Sequence, residues 1–356
     1  MLFGIYFANA QDSVARGNIV RCLDREVGLR GDGIRVWYSQ QVLIADNQVA
    51  DCRDTLIWYA QNITIIGNAF RDGRYGLHFM YSSHAVIENN TFERNSVGSY
   101  LMYSQHLSMR NNQMLLNRGP SGYGIALKDM DYVSLEDNIL VGNRVGLYID
   151  NSPALIDITN TVAGNFLAYN DVGVMALPST KRNVFQHNTF LENTQQVSVQ
   201  GRGHLLDNTW QQNGAGNYWS DYVGYDGDRD AIGDIPYRAE KLFESLADAE
   251  PVLRLFAFSP ASQAVDFAAS AFPSLRPDPK VIDEAPLMSF SLPAIGGNLA
   301  PDPAAAFIVT IVLIATGAGI VLSAVRVIRP RTIRMKDTTF PPRWAGTAAG
   351  RSLTPS

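Results

Sequence analysis

Short apolar phrases alternate with polar corners from residue 4 to about residue 210. In Gly76-Leu77-His78-Phe79-Met80 the apolar places are Leu77 and Phe79. They recur as Ile34/Val36, Ile125/Leu127 and Leu147/Ile149, while the residues between them (Arg35, His78, Tyr100, Tyr148) vary freely. Alternation with period two marks a half-buried strand. Gly, Asn, Asp and Ser interrupt the pattern every few residues, as corners between short strands require.

The phrases also repeat. Residues 76–114 match themselves at an offset of 22: Gly76 falls on Gly98, Met80-Tyr81-Ser82 on Met102-Tyr103-Ser104, His84 on His106 and Asn90 on Asn112. Asn18, Asn47, Asn68, Asn90, Asn112, Asn138, Asn165, Asn188 and Asn208 each open a phrase of the form Asn-x-apolar. A fixed period of this length signals a solenoid. Such short strands pair from coil to coil, about 4.8 Å apart, and the recurrent Asn becomes a ladder of side-chain amides. The predicted fold is all-β, a right-handed parallel β-helix over residues 1–213, its hand taken from the usual habit of the fold. Asn68, Asn90, Asn112 and Asn138 are expected in one line, with Phe79, Leu101, Leu127 and Ile149 stacked inside.

Beyond residue 213 the period stops. An aromatic and Asp-rich block, 214–238, is expected to cap the helix, and 239–303 reads as a helical and Pro-rich segment suited to docking a partner. Residues 304–325 carry no charge and suffice for one transmembrane helix, since about 20 apolar residues span the bilayer. The basic tail 326–356 holds seven Lys and Arg against one acid, which places it in the cytoplasm and the β-helix outside. At the other end, Gly4-Ile5-Tyr6-Phe7 already fits a strand phrase, and residues 1–10 lack the basic region of an export signal. Met1 therefore reads as an internal start of a longer protein.

The 356 residues, 46% of them apolar, suffice for a large core. A net charge of −5, with no basic stripe, argues against nucleic acid as partner. Cys22 and Cys52 fall at nearly matching places in adjacent coils. A disulfide fits there, but two buried thiols are the commoner outcome. Neither a Cys/His zinc spacing nor a Ser/His/Asp or phosphate-loop pattern occurs.

Stacking turns the repeat into chemistry. Met80 and Met102 are expected to project outward on neighbouring coils, with His78 on the same strand and His84 and His106 just past the corner. Thioethers are soft ligands and imidazoles borderline ones, a set suited to Cu(I). The same column, Trp37, Trp58, Met80 and Met102, with Tyr38, Tyr59, Tyr81 and Tyr103 beside it, also reads as a docking or sugar-stacking surface. Lys128, Asp129, Asp131 and Asp150 continue the corner and could serve acid–base chemistry on a sugar, or be a solvated face. Asp226, Asp228, Asp230 and Asp234 have spacing like that of calcium loops. The bland reading is a cap whose carboxylates bond backbone amides. His187 and His204 have no evident partners and read as surface residues.

The coils, the block GNYWSDYVGYDGDRDAIGDIPY at 216–237, SPASQAVDFAASAFP at 259–273 and Asp-Glu-Ala-Pro-Leu-Met at 283–288 resemble the NosD family of nitrous-oxide reductase maturation proteins over residues 1–290. The resemblance implies a non-enzymatic periplasmic protein. It would work with an ABC transporter (ATPase and permease) and a copper chaperone to build the copper centres of nitrous oxide reductase. Copper would then be a transient cargo. Arg229 and Ala231 stand where that family usually has Gly. Apart from the resemblance, the repeats leave open a polysaccharide-binding or polysaccharide-active β-helix of the lyase or epimerase kind.

Overall fold

The computed structural model describes residues 3–23 and 25–293, together with Ile311 and Thr316. Two compact units divide the chain, Met1–Ile295 and Gly296–Ser356, and the fold belongs to the first. The predicted membrane segment 304–325 and the basic tail lie outside the described residues, save Ile311 and Thr316. Among the described residues no helix is long and apolar enough to cross a membrane.

Three parallel sheets form the walls of a β-helix. The first has nine strands, from Phe3–Ala8 to Gln195–Val199. The second has eight, from Gln11–Arg16 to Asn183–Gln186, and the third nine, from Ile19–Arg21 to Tyr218–Trp219. Phe79, Leu101, Leu127 and Ile149 are register partners on successive coils and all are fully buried, as the alternation predicts. Corners place residues in the left-handed region on every coil, for example Tyr38, Tyr59, Tyr81 and Tyr103 at φ between 47° and 53°.

Asparagine holds the coils in register. From Asn18 through Asn47, Asn68, Asn90, Asn112, Asn138, Asn165 and Asn188 to Asn217, each Nδ2 donates to the next Oδ1 at 2.8–3.0 Å. A second ladder joins Asn95, Asn117, Asn143, Asn170 and Asn193. Apart from half-buried Asn18 these amides are buried, so each pairing also prevents the cost of an unpaired polar group. Asn208 corrects the expectation: it accepts from Asn183 at 2.9 Å in a separate column, and Asn217 continues the main ladder. The chain between 201 and 216 makes the last coil longer, which shifts the anchor. A second correction concerns Cys22 and Cys52, which are disulfide-bonded rather than free.

The far end of the core is closed by aromatic rings. Trp219 stacks on Phe190 at 4.2 Å and Tyr237 on Trp219 at 4.2 Å, while Trp210 covers Phe185 at 4.1 Å. The Asp283 carboxylate ends the main ladder, accepting from the Asn217 amide, its Nδ2 and Trp219 Nε1 at 2.8–3.1 Å. The predicted helical segment contains α1 (Leu242–Ala249) and α2 (Pro260–Ala271), joined by a 3-10 turn. Buried Asp248 ties α1 to the last strand of the first sheet by accepting from Gln195, Ser198 and Val199, and it pairs with Lys280 at 2.7 Å. A cavity of about 750 Å³ remains between this segment and the first sheet, with Val145, Val172 and Met175 in its wall.

Candidate functional site

The strand Tyr75–Met80 sends Leu77 and Phe79 into the core, which leaves His78 and Met80 on the outer face. Met80 pairs in register with Met102 above it and Trp58 below, and Trp58 with Trp37. One coil further the column becomes Lys128 and then Asp150. Both methionines are half-buried.

His78 departs from the expected exposure. It is only 9% exposed, lying edge-on to Trp58 (centroids 5.6 Å, 84°) and Tyr75 (4.9 Å, 72°). Its Nδ1 is 3.8 Å from Asp54 Oδ2 and, buried, has no hydrogen-bond partner. Asp54 itself accepts from Arg74 Nε at 2.9 Å and the Tyr75 amide at 3.3 Å. Burial alone would push the Asp54 carboxyl up, but His78 and Arg74 outweigh it and hold the group below the usual carboxylate range. Trp58 was legible as a member of the Met80 column. The role of Asp54 was not, because its contact with His78 crosses from one coil to the next.

The corner separates the remaining candidates from this face. His84 and His106 stand at left-handed positions (φ 56° each) at the start of second-sheet strands, and both are exposed. Their rings stack at 4.7 Å and 21°, and His106 stacks in turn on Tyr132 at 4.3 Å and 13°. These three border an open groove of about 550 Å³ along the second sheet, with Asn62, Thr64 and Val86. Met80, Met102 and His78 do not line it. The five residues expected to act together therefore form two clusters on different faces.

Tyr38, Tyr59, Tyr81 and Tyr103 form a continuous stack, with ring spacings of 4.7, 5.1 and 5.1 Å and near-parallel planes. Their faces are spent on one another, so the column offers mainly edges and hydroxyls. The acid–base candidates are occupied too. Lys128 pairs with Asp150 at 2.5 Å, Asp129 accepts from Asn151, and Asp131 accepts from the amides of Ala154 and Leu155 at 2.8 and 2.9 Å. His187 and His204 are exposed.

In the cap, carboxylate oxygens of Asp226, Asp228 and Asp230 lie within 4.8 Å of one another. Asp234 stands apart from that group and accepts from the Gly227 amide at 2.8 Å. Asp226 accepts from the amides of Arg229, Asp230 and Ala231 at 2.6, 3.2 and 3.0 Å, and Asp230 from Ile232 at 2.8 Å. The neighbouring Asp230 charge raises the Asp228 carboxyl above its ordinary value. Arg229 and Ala231 both take left-handed backbone, with φ of 67° and 71°.

A family model described as "Periplasmic copper-binding protein (NosD)" matches residues 13–224. A protein of Pseudomonas aeruginosa named "Probable ABC transporter binding protein NosD" is 33% identical over 181 residues, 47% of this chain and 40% of that protein. One of the same name from Stutzerimonas stutzeri is 32% identical over 149 residues, 41% of this chain and 32% of that one. The chain thus spans at most about two fifths of the length of these relatives. Among solved structures, the periplasmic alginate epimerase AlgG aligns at a TM-score of 0.43 and 19% identity, covering 62% of each chain.

Proposed function

Because the chain belongs to the NosD family of periplasmic copper-binding proteins, we propose that it is a non-enzymatic accessory protein in the assembly of the copper centres of nitrous oxide reductase. It would receive copper from a chaperone on the outer surface of coils 76–114 and work beside the ATPase and permease of an ABC transporter. One observation carries the reading: soft and borderline ligands occur in register on adjacent coils, Met80 beside Met102 and His84 beside His106. This donor set fits monovalent copper, and the strand ladder holds it without folding a loop.

Two observations favour a binding role over sugar chemistry. The carboxylates near Lys128 are engaged, and the tyrosine faces are stacked on one another. The disulfide suits an oxidising compartment such as the periplasm. For the permease, the helical segment offers Leu255, Phe258 and Phe267, each at least 74% exposed on one stretch. Residues 304–325 would anchor the protein in the membrane.

Cells lacking this chain should make reductase with its normal amount of protein but little copper, and restoring the chain should restore the copper. Metal analysis of the purified reductase decides this; full copper content without the chain would end the reading. Calcium held by Asp226, Asp228 and Asp230 is a separate proposal for the cap. A melting temperature that falls on chelation supports it, whereas an unchanged one leaves the hydrogen-bonded loop alone.

A further inference from the structure

We propose that His78, Met80 and Met102, bordered by Trp58, form a Cu(I)-selective site separate from the His84–His106 pair. The inference rests on the copper reading above and assigns its ligands. Met80 and Met102 bring two thioethers together on paired strands, and His78 stands two residues before Met80 on the same face. Two sulfurs and one imidazole favour Cu(I), since thioethers hold Cu(II) poorly.

His78 is prepared for this use. A buried ring nitrogen without a partner is uncommon in a folded protein, and Nδ1 of His78 is one. Asp54 Oδ2, 3.8 Å away and fixed by Arg74, faces that nitrogen. At 3.8 Å this carboxylate lies just beyond hydrogen-bond reach; with copper bound, Nδ1–H donating to it would leave the other nitrogen as the donor to the metal. Nε2 is then the ligand atom. Trp58 borders both Met80, as its register partner, and His78, ring to ring. An indole is the best aromatic partner for a cation, so it both supports a monovalent ion and reports on it.

The second pair is built differently. Imidazole lone pairs lie in the ring plane, and the rings of His84 and His106 are stacked within 21° of parallel. Their donors therefore run side by side instead of converging, and Tyr132 holds His106 in that stack.

The test uses the full-length chain under anaerobic, reducing conditions. Cu(I) is titrated against bicinchoninate, and Ag(I), a redox-inert mimic, is followed by indole fluorescence. The Met80→Leu/Met102→Leu variant should lose more than about 100-fold in Cu(I) affinity, beyond the roughly 10–100-fold that loss of a group behind a ligand costs. It should also lose the Ag(I)-induced quenching. Leu conserves volume, so its melting temperature should hold; if it drops, Met80→Leu alone makes the same comparison. His84→Ala/His106→Ala should keep both signals. The opposite pattern overturns this assignment and leaves the copper reading standing. Failure of the unmodified chain to take Cu(I) or Ag(I) at all overturns both.

Discussion

Ala231 holds φ at 71° in the acidic loop, a conformation that costs an L-residue about 1–2 kcal/mol. Arg229, at 67°, bears the same strain. Both residues therefore hold a backbone that glycine would take without strain. Ala231→Gly should raise stability by about 1 kcal/mol, read as a higher denaturant midpoint. A lower midpoint would mean that the Ala231 methyl makes a contact worth more than the strain. Asp54 gives a second residue-scale expectation. Its folded-state pKa lies below the unfolded one, so its stabilisation is present above the usual carboxylate range and is lost as pH falls through the folded value. Asp54→Asn should therefore make stability fall less steeply on acidification. At this scale the sequence revealed residue types and columns, such as Met80 above Trp58. It could not reveal that His78 is covered, because the cover comes from Trp58 on another coil and from how Tyr75 turns.

The elements were the most legible part. Period-two alternation gave the strands, and the 22-residue offset gave coil pairing, because each coil repeats one geometric problem with one chemical solution. What escaped was the end of the ladder. Asn217 donates to Asp283 across 66 residues, a contact no repeat could announce. Asp283 is fully buried and also receives Trp219 Nε1 and the Ala285 amide. Asp283→Ala leaves three buried donors, the Asn217 and Ala285 amides and Trp219 Nε1, without their acceptor and should cost at least about 3 kcal/mol. Equilibrium unfolding measures it. A loss below about 1 kcal/mol would mean that the amide ladder does not need this terminus. The disulfide escaped for another reason: spacing brings Cys22 and Cys52 together, but whether they are oxidised depends on the compartment.

For the molecule as a whole, the rigid coil stack sets ligands side by side, and the helical segment exposes apolar side chains at one end. The stack supplies position, and the exposed segment carries the apolar side chains proposed to meet a partner. The corner between the first and second sheets divided the expected five-residue site into two, which a linear reading of Met-Tyr-Ser-x-His could not foresee. The most direct test of copper handling is a competition titration of the intact chain with Cu(I) and, separately, with Cu(II). The chain should withdraw Cu(I) from bicinchoninate while Cu(II) binds at least about tenfold more weakly, as a thioether-containing site requires. A chain that takes no Cu(I) from the chromophore, or that prefers Cu(II), would contradict this reading.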